Sequence, residues 1–209
     1  MYRNEPLDTY LKDATAGTPT PGGGSVAALV GALATTMSSM SANFTVGKEK
    51  FKHYDSQLKK ILGECEKSRE ILLSLMEEDI KVYSGITNAY GLPKSTDAEK
   101  NKRSEEIQKA TIIAMDVPLK TTMCCLYVLE QTRELVDIAN PNLISDVGVA
   151  GFLAEAAFQC AKLNVEINLA TIKNLSLVEK TKNELSHAEN KAKAFFKEIQ
   201  EKVQKIIKG

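Results

Sequence analysis

The chain has 209 residues, which suits one domain, or at most two, with a sizeable core. Acidic and basic residues balance at 27 each, so no global charge draws it to nucleic acid, and 6% aromatics with no Trp argue against a platform for stacking bases. Four cysteines (Cys65, Cys124, Cys125 and Cys160) form no CxxC, which argues against a disulfide framework and for a reducing compartment. The polar start MYRNEPLDTYLKD has no signal-peptide pattern, and the expected location is cytoplasmic.

In chain order, Glu5 to Ala14 reads as a short amphipathic helix with Leu7, Tyr10 and Leu11 on one face. TPTPGGG then makes a turn, and a helix follows from Ser25 to about Val46. No charge occurs between Ala14 and Gly47. Val26, Val30, Leu33, Met37, Met40 and Phe44 recur at helical spacing, while Ala, Gly and Thr cover much of the remaining surface. Such a small-sided helix can be approached closely from several directions, so it is expected at the centre of a bundle. Pro and Gly at one end and ten Ser or Thr residues in the uncharged span argue against a membrane span. Ser25 is placed to cap the helix, and the glycines deliver bare N–H groups to its positive end, a potential anion site.

A long helix is expected from Asp55 to Tyr90, with Leu58, Ile61, Leu62, Cys65, Leu72, Leu75, Met76, Tyr83, Ile86 and Tyr90 along its buried stripe. Asp79 interrupts the stripe and therefore points inward, where an ionised carboxylate is costly without a partner. Glu77 and Glu78 read as a solvated acidic face. Thr96-Asp97-Ala98-Glu99 fits a capping box. The helix it opens is expected to reach Met115, to kink or restart at Asp116-Val117-Pro118, and to end near Ala139. After the turn Asn140–Asn142, Ser145 or Asp146 can cap a helix running through Ser176. Glu155, Gln159, Lys162 and Glu166 form its expected wet face, with Asn164 and Asn168 among small residues opposite. Glu179 to Lys208 reads as a last helix with a narrow apolar stripe. No run alternates like a strand, so the fold expected is all-α: one bundle of long helices around the Gly/Ala/Ser-rich helix.

Two distant histidines, His53 and His187, and the absence of any metal-ligand spacing predict no metal site. No GxSxG elbow or Walker motif occurs. A glycine triplet alone is also a plain tight turn, and an inward Asp alone is also a structural pair. Together with their surroundings these residues say more. TPTPGGGSVAALVGALATTMSSMSAN, the Asp79 segment, LPKST, VPL and SDVGVAGFLAEAAFQCAKLNVEINL stand in an order that closely resembles the formimidoyltetrahydrofolate cyclodeaminase and methenyltetrahydrofolate cyclohydrolase family. Where relatives often have Gly-Asn before the Ser-Asp motif, this chain has Ala139-Asn140.

The resemblance covers nearly the whole chain. It implies an all-helical homodimer or larger assembly acting on tetrahydrofolate one-carbon adducts. The reaction implied is cyclisation of 5-formiminotetrahydrofolate to 5,10-methenyltetrahydrofolate with loss of ammonia. Hydrolysis of the methenyl compound is one alternative, and a non-catalytic binding or assembly protein of the same fold is another. Asp79 matches the family's acid/base position, and Asp146 is a second carboxylate. Gly22, Gly23, Gly24, Ser25, Asn43, Lys48, Ser145, Asn164 and Asn168 are the implied substrate-binding residues, with Lys50 beside Lys48 as a candidate for the folate glutamate. Neither reaction requires a redox cofactor or a metal, and no nucleic-acid or membrane partner is expected.

Overall fold

The computed structural model describes residues 1–209. It contains six α-helices and no strand: α1 (Leu7–Thr15), α2 (Gly23–Asn43), α3 (Asp55–Tyr90), α4 (Asp97–Leu135), α5 (Ile144–Leu169) and α6 (Leu175–Lys208). Short 3-10 turns lie at Tyr2–Asn4, Glu49–Tyr54 and Pro141–Leu143. Helix α2 lies between α3 and α5 and also touches α4; α6 covers α5 and α4.

Small side chains make this arrangement possible. Ala28, Ala34, Ser38, Ser41 and Ala42 of α2 are fully buried. Gly31 leaves no room for more, because a Cβ there would stand 3.0 Å from Cys125 Sγ and 3.2 Å from Leu72. Large residues face the other way: Val26 and Leu33 of α2, and Phe44 just after it, are exposed. Helix α5 repeats the pattern, burying Ala150, Ala154, Ala157 and Ala161 and exposing Val149, Phe152, Leu163 and Ile167. The face of α5 expected to be wet is instead partly covered by α6, with Lys162 Nζ 3.2 Å from Glu189.

Several expected details change. Only Tyr10 of α1 is buried, while Leu7 and Leu11 face outward. On α3, Tyr83 and Tyr90 are exposed, and Glu77 is buried instead of solvated because its carboxylate accepts the Arg3 N–H at 3.0 Å. Helix α4 opens with the expected capping box at Thr96 but runs unbroken through Pro118 to Leu135. Proline removes one N–H and crowds the preceding turn; packing against α3 and α5 on both sides holds the helix together regardless. Neither Ser145 nor Asp146 caps α5, whose N-cap is Leu143. Helix α5 ends at Leu169, and α6 begins four residues earlier than expected because the Asn174 side chain accepts the Leu177 N–H. Gly47, at φ +75°, turns the chain after α2 in a conformation that favours glycine. The stretches Gly23–Asn43, Asp97–Leu135 and Pro141–Leu169 are long and apolar enough to cross a membrane by length and composition; here each has roughly half of that window buried inside the bundle.

Candidate active site

The TPTPGGG turn brings the N-terminus of α2 against the middle of α3. Gly22 is the N-cap and supplies no side chain. The role falls to a carboxylate far along the chain: Asp79 Oδ2 accepts the Ser25 N–H at 2.9 Å. A carboxylate at a helix N-terminus is favoured by the free N–H groups and the helix dipole. Gly24 is required by this approach, since a Cβ there would overlap Asp79 Oδ1 and stand 2.7 Å from Cγ.

Ser25 is not the cap. Its side chain turns into the core, where Oγ donates to the Met76 carbonyl at 3.0 Å and lies 3.0 Å from the Tyr10 hydroxyl. With the serine hydrogen used on Met76, the Tyr10 phenol is the donor to Ser25 Oγ. Burial pushes that phenol's pKa up, which keeps it a donor. Tyr10 thus anchors the residue whose backbone holds Asp79. The Asp79 carboxyl is itself pushed above the ordinary carboxylate range by burial, opposed by the Ser25 N–H.

Asp79 opens into a cleft of about 230 Å³ lined by Gly22–Gly24, Val82, Tyr83, Ala114, Pro118, Asn164 and Asn168. Asn164 Nδ2 donates to Cys160 O and Asn168 Nδ2 to Asn164 O, both at 2.8 Å. Their amide hydrogens are partly spent on their own helix, while neither amide oxygen has a protein donor. Pro118 cannot donate to the Ala114 carbonyl one turn back, and both residues line the cleft. The cleft therefore offers a carboxyl group able to move a proton and several acceptors. A proline inside a strong helical pattern was the signal for this part of the site; read from sequence it suggested only a break. Tyr10 had no local signal.

The remaining expected site residues lie elsewhere. Helices α2 and α5 run antiparallel, with Gly23 beside Asn164 at one end and the Asn140 N–H donating to Thr45 Oγ1 at the other. Ser145 and Asp146 stand about 27 Å of helix away from Asn164, and Asn43 is about as far from Gly24 along α2. Lys48 and Lys50 follow Asn43 and are exposed. Within one chain, these residues do not join the Asp79 cleft. His53 and His187 are both exposed, and no three His, Cys, Asp or Glu side chains converge.

Known proteins are similar to this chain in sequence and fold. The formiminotransferase-cyclodeaminase family model matches residues 6–187. A methenyltetrahydrofolate cyclohydrolase from Methylorubrum extorquens is 36% identical over 207 residues, covering 99% of this chain and all of the relative. Formimidoyltransferase-cyclodeaminase from Rattus norvegicus is 31% identical over 187 residues; the match covers 90% of this chain and 35% of the rat protein. The crystal structure of formiminotetrahydrofolate cyclodeaminase from Thermotoga maritima superposes with a TM-score of 0.91 at 27% identity, covering 99% of this chain and all of that one. Agreement in sequence and fold across the full length shows that the chain belongs to the formiminotransferase-cyclodeaminase family.

Proposed function

We propose that this protein is a folate one-carbon enzyme that closes the N5–N10 methenyl bridge of tetrahydrofolate. The observation that carries the reading is Asp79: one carboxyl, raised by burial, fixed by a backbone N–H and open to a cleft that Asn164 and Asn168 also line. In 5-formiminotetrahydrofolate, N10 attacks the formimino carbon and loses its proton. The resulting tetrahedral carbon expels ammonia once that nitrogen is protonated. Asp79 takes the first proton and delivers the second, so a carboxyl with an elevated pKa suits both halves of the relay. Holding N10 against the carbon supplies the rest of the acceleration through orientation. The acceptors of Asn164, Asn168 and Ala114 suit the N–H groups of a reduced pterin. No metal or redox group is required by this proton chemistry.

A second reading is favoured by one observation: the full-length relative in Methylorubrum extorquens is named methenyltetrahydrofolate cyclohydrolase. There water attacks the bridge carbon, Asp79 accepts its proton, and N5 leaves as the amine. An absorbance assay of 5,10-methenyltetrahydrofolate separates the two. Formation from 5-formiminotetrahydrofolate with ammonia release supports cyclisation, and loss of added methenyl compound supports hydrolysis. Turnover of neither overturns the enzyme reading.

The protein also acts as a homodimer in this proposal. Val26 and Leu33 of α2, Phe44 just after it, and Val149, Phe152, Leu163 and Ile167 of α5 are 40–68% exposed. Large apolar side chains in this number are a covered surface, and a second copy is the commonest cover. A two-fold axis perpendicular to these helices would lay the Asp146 end of one protomer against the Asp79 end of its partner. That arrangement gives Asn43, Lys48, Ser145 and Asp146 a place near the chemistry which a single chain denies them.

A further inference from the structure

Helix α1 sends one residue into the core. Tyr10 is its only buried side chain. Its ring joins Ala28 of α2, Leu75 and Met76 of α3 and Val117 of α4 in a small core of their own. Val82 of α3 packs against this cluster, and Val117 immediately precedes Pro118. Val82 and Pro118 also line the Asp79 cleft. The Tyr10 cluster therefore stands behind the cleft wall.

The N-terminal segment holds Tyr10 from its other side. The Tyr2 ring meets it edge-on, with ring centres 5.2 Å apart. Tyr2 Oη donates to Asp13 at 2.6 Å, which closes the segment onto the end of α1. Arg3 ties it to α3 twice: its N–H donates to Glu77 at 3.0 Å and its guanidinium to Glu70 at 2.7 Å. The result is a phenol fixed 3.0 Å from Ser25 Oγ. Ser25 in turn spans one turn of α3, with Oγ on the Met76 carbonyl and its N–H on Asp79. The hydrogen bond from Tyr10 thus bears on the residue that orients the Asp79 carboxyl.

We propose that Tyr10 is a positioning residue for the reaction, setting the orientation of the Asp79 carboxyl through Ser25 without touching the substrate. The assignment rests on the folate reading above, in which Asp79 moves the proton. Tyr10 does not line the cleft, so its loss acts on kcat and not on KM. The Ser25 N–H opposes the upward push of burial on Asp79, and a slacker N–H lets the carboxyl rise further. The neighbouring charges are few. Tyr83 is the other titratable side chain lining the cleft, and α2, α4 and α5 contribute none there. Asp116 and Lys120 of α4 pair with each other at 2.6 Å, and Glu78 of α3 acts on the same lysine. On the core side, Asp79 and Glu77 both act on the Tyr10 phenol.

The test measures kcat and KM against pH on the folate substrate that the absorbance assay identifies, with the melting temperature of each protein. Tyr10→Phe keeps the ring and removes the donor. It should fold, lower kcat about 3- to 10-fold, the scale of one hydrogen bond, and leave KM nearly unchanged. Because Asp79 must be ionised to accept a proton, the acid limb of the profile should move to higher pH. Ser25→Ala breaks the same link from the other side and should do the same. In the double variant the two losses should not add, since both remove one link. Tyr2→Phe loosens the N-terminal segment without reaching Ser25. It should lower the melting temperature and leave the pH profile in place. A Tyr10→Phe protein that melts lower with kcat and acid limb unmoved, fully additive losses, or an equal shift in Tyr2→Phe overturns the positioning role. If Tyr10→Phe does not fold, Ser25→Ala decides, and an unmoved acid limb there overturns the role as well. Turnover of neither folate substrate by the wild-type protein would instead overturn the folate reading itself.

Discussion

Asp79 serves both local structure and proposed chemistry: it caps α2 through the Ser25 N–H and faces the cleft. Replacing it with Asn keeps an oxygen for that N–H and removes the titrating proton. Turnover should fall about 100-fold or more, the scale of a positioned acid/base group. Stability moves differently. Because burial raises the carboxyl, the folded form holds its proton more tightly than the unfolded form. Wild-type stability therefore declines as pH rises from the ordinary carboxylate value, about 3.9, through the raised one, and levels off above it. Melting curves at several pH values should show Asp79→Asn gaining on the wild type across that window. A variant that melts far lower yet retains turnover per folded molecule would make Asp79 structural only. The inward direction of Asp79 was legible, because a polar residue on an apolar stripe has a position fixed by helical period. The role of Ser25 was not: a Ser after glycines fits a cap as well as an interior position, and the deciding partner lies elsewhere in the chain.

At the scale of elements, periodicity identified which residues share a face but not which face turns inward. Helix α2 shows why. Its large residues make the stronger pattern, yet its small ones are buried, because α3 and α5 both approach closely, with α4 beneath. Gly31 is the tightest point of that approach. Gly31→Ala should lower unfolding free energy by about 1–3 kcal/mol through overpacking, measured by urea denaturation. No loss of stability would mean that Leu72 and Cys125 have room to yield. Pro118 failed as a boundary signal for a related reason, since local propensity gives way when tertiary packing covers both sides of a helix.

For the whole molecule, the exposed apolar faces of α2 and α5 carry the forecast of a dimer. Light scattering should give about twice the 22.9 kDa of one chain. Leu33→Lys places a charge in the middle of the α2 stripe, on a side chain 49% exposed in the single chain. It should leave helix content intact, halve the particle mass and reduce turnover if the partner completes the site. A monomeric wild type, or a Leu33→Lys protein that stays dimeric, removes this face as the interface. The all-helical class and single bundle could be read from the sequence. The separation of Asp146 from Asp79 could not, because motif order carries no information about which end of a helix a residue occupies.

The outward stripe of α5 also carries a chemical reporter. Cys160 is exposed, whereas Cys65 and Cys125 are buried and Cys124 is partly covered. Desolvation pushes the Cys65 and Cys124 thiols to about 11, so few of them are thiolates near neutral pH. Cys160, lying between Phe152 and Leu163 on the stripe, is the thiol a water-soluble reagent should reach first. If a second copy covers that stripe, the labelling rate becomes a clock for dissociation: slow in the concentrated protein, faster on dilution, and fast at every concentration in the Leu33→Lys variant. A rate independent of concentration in the wild type would place Cys160 outside the contact.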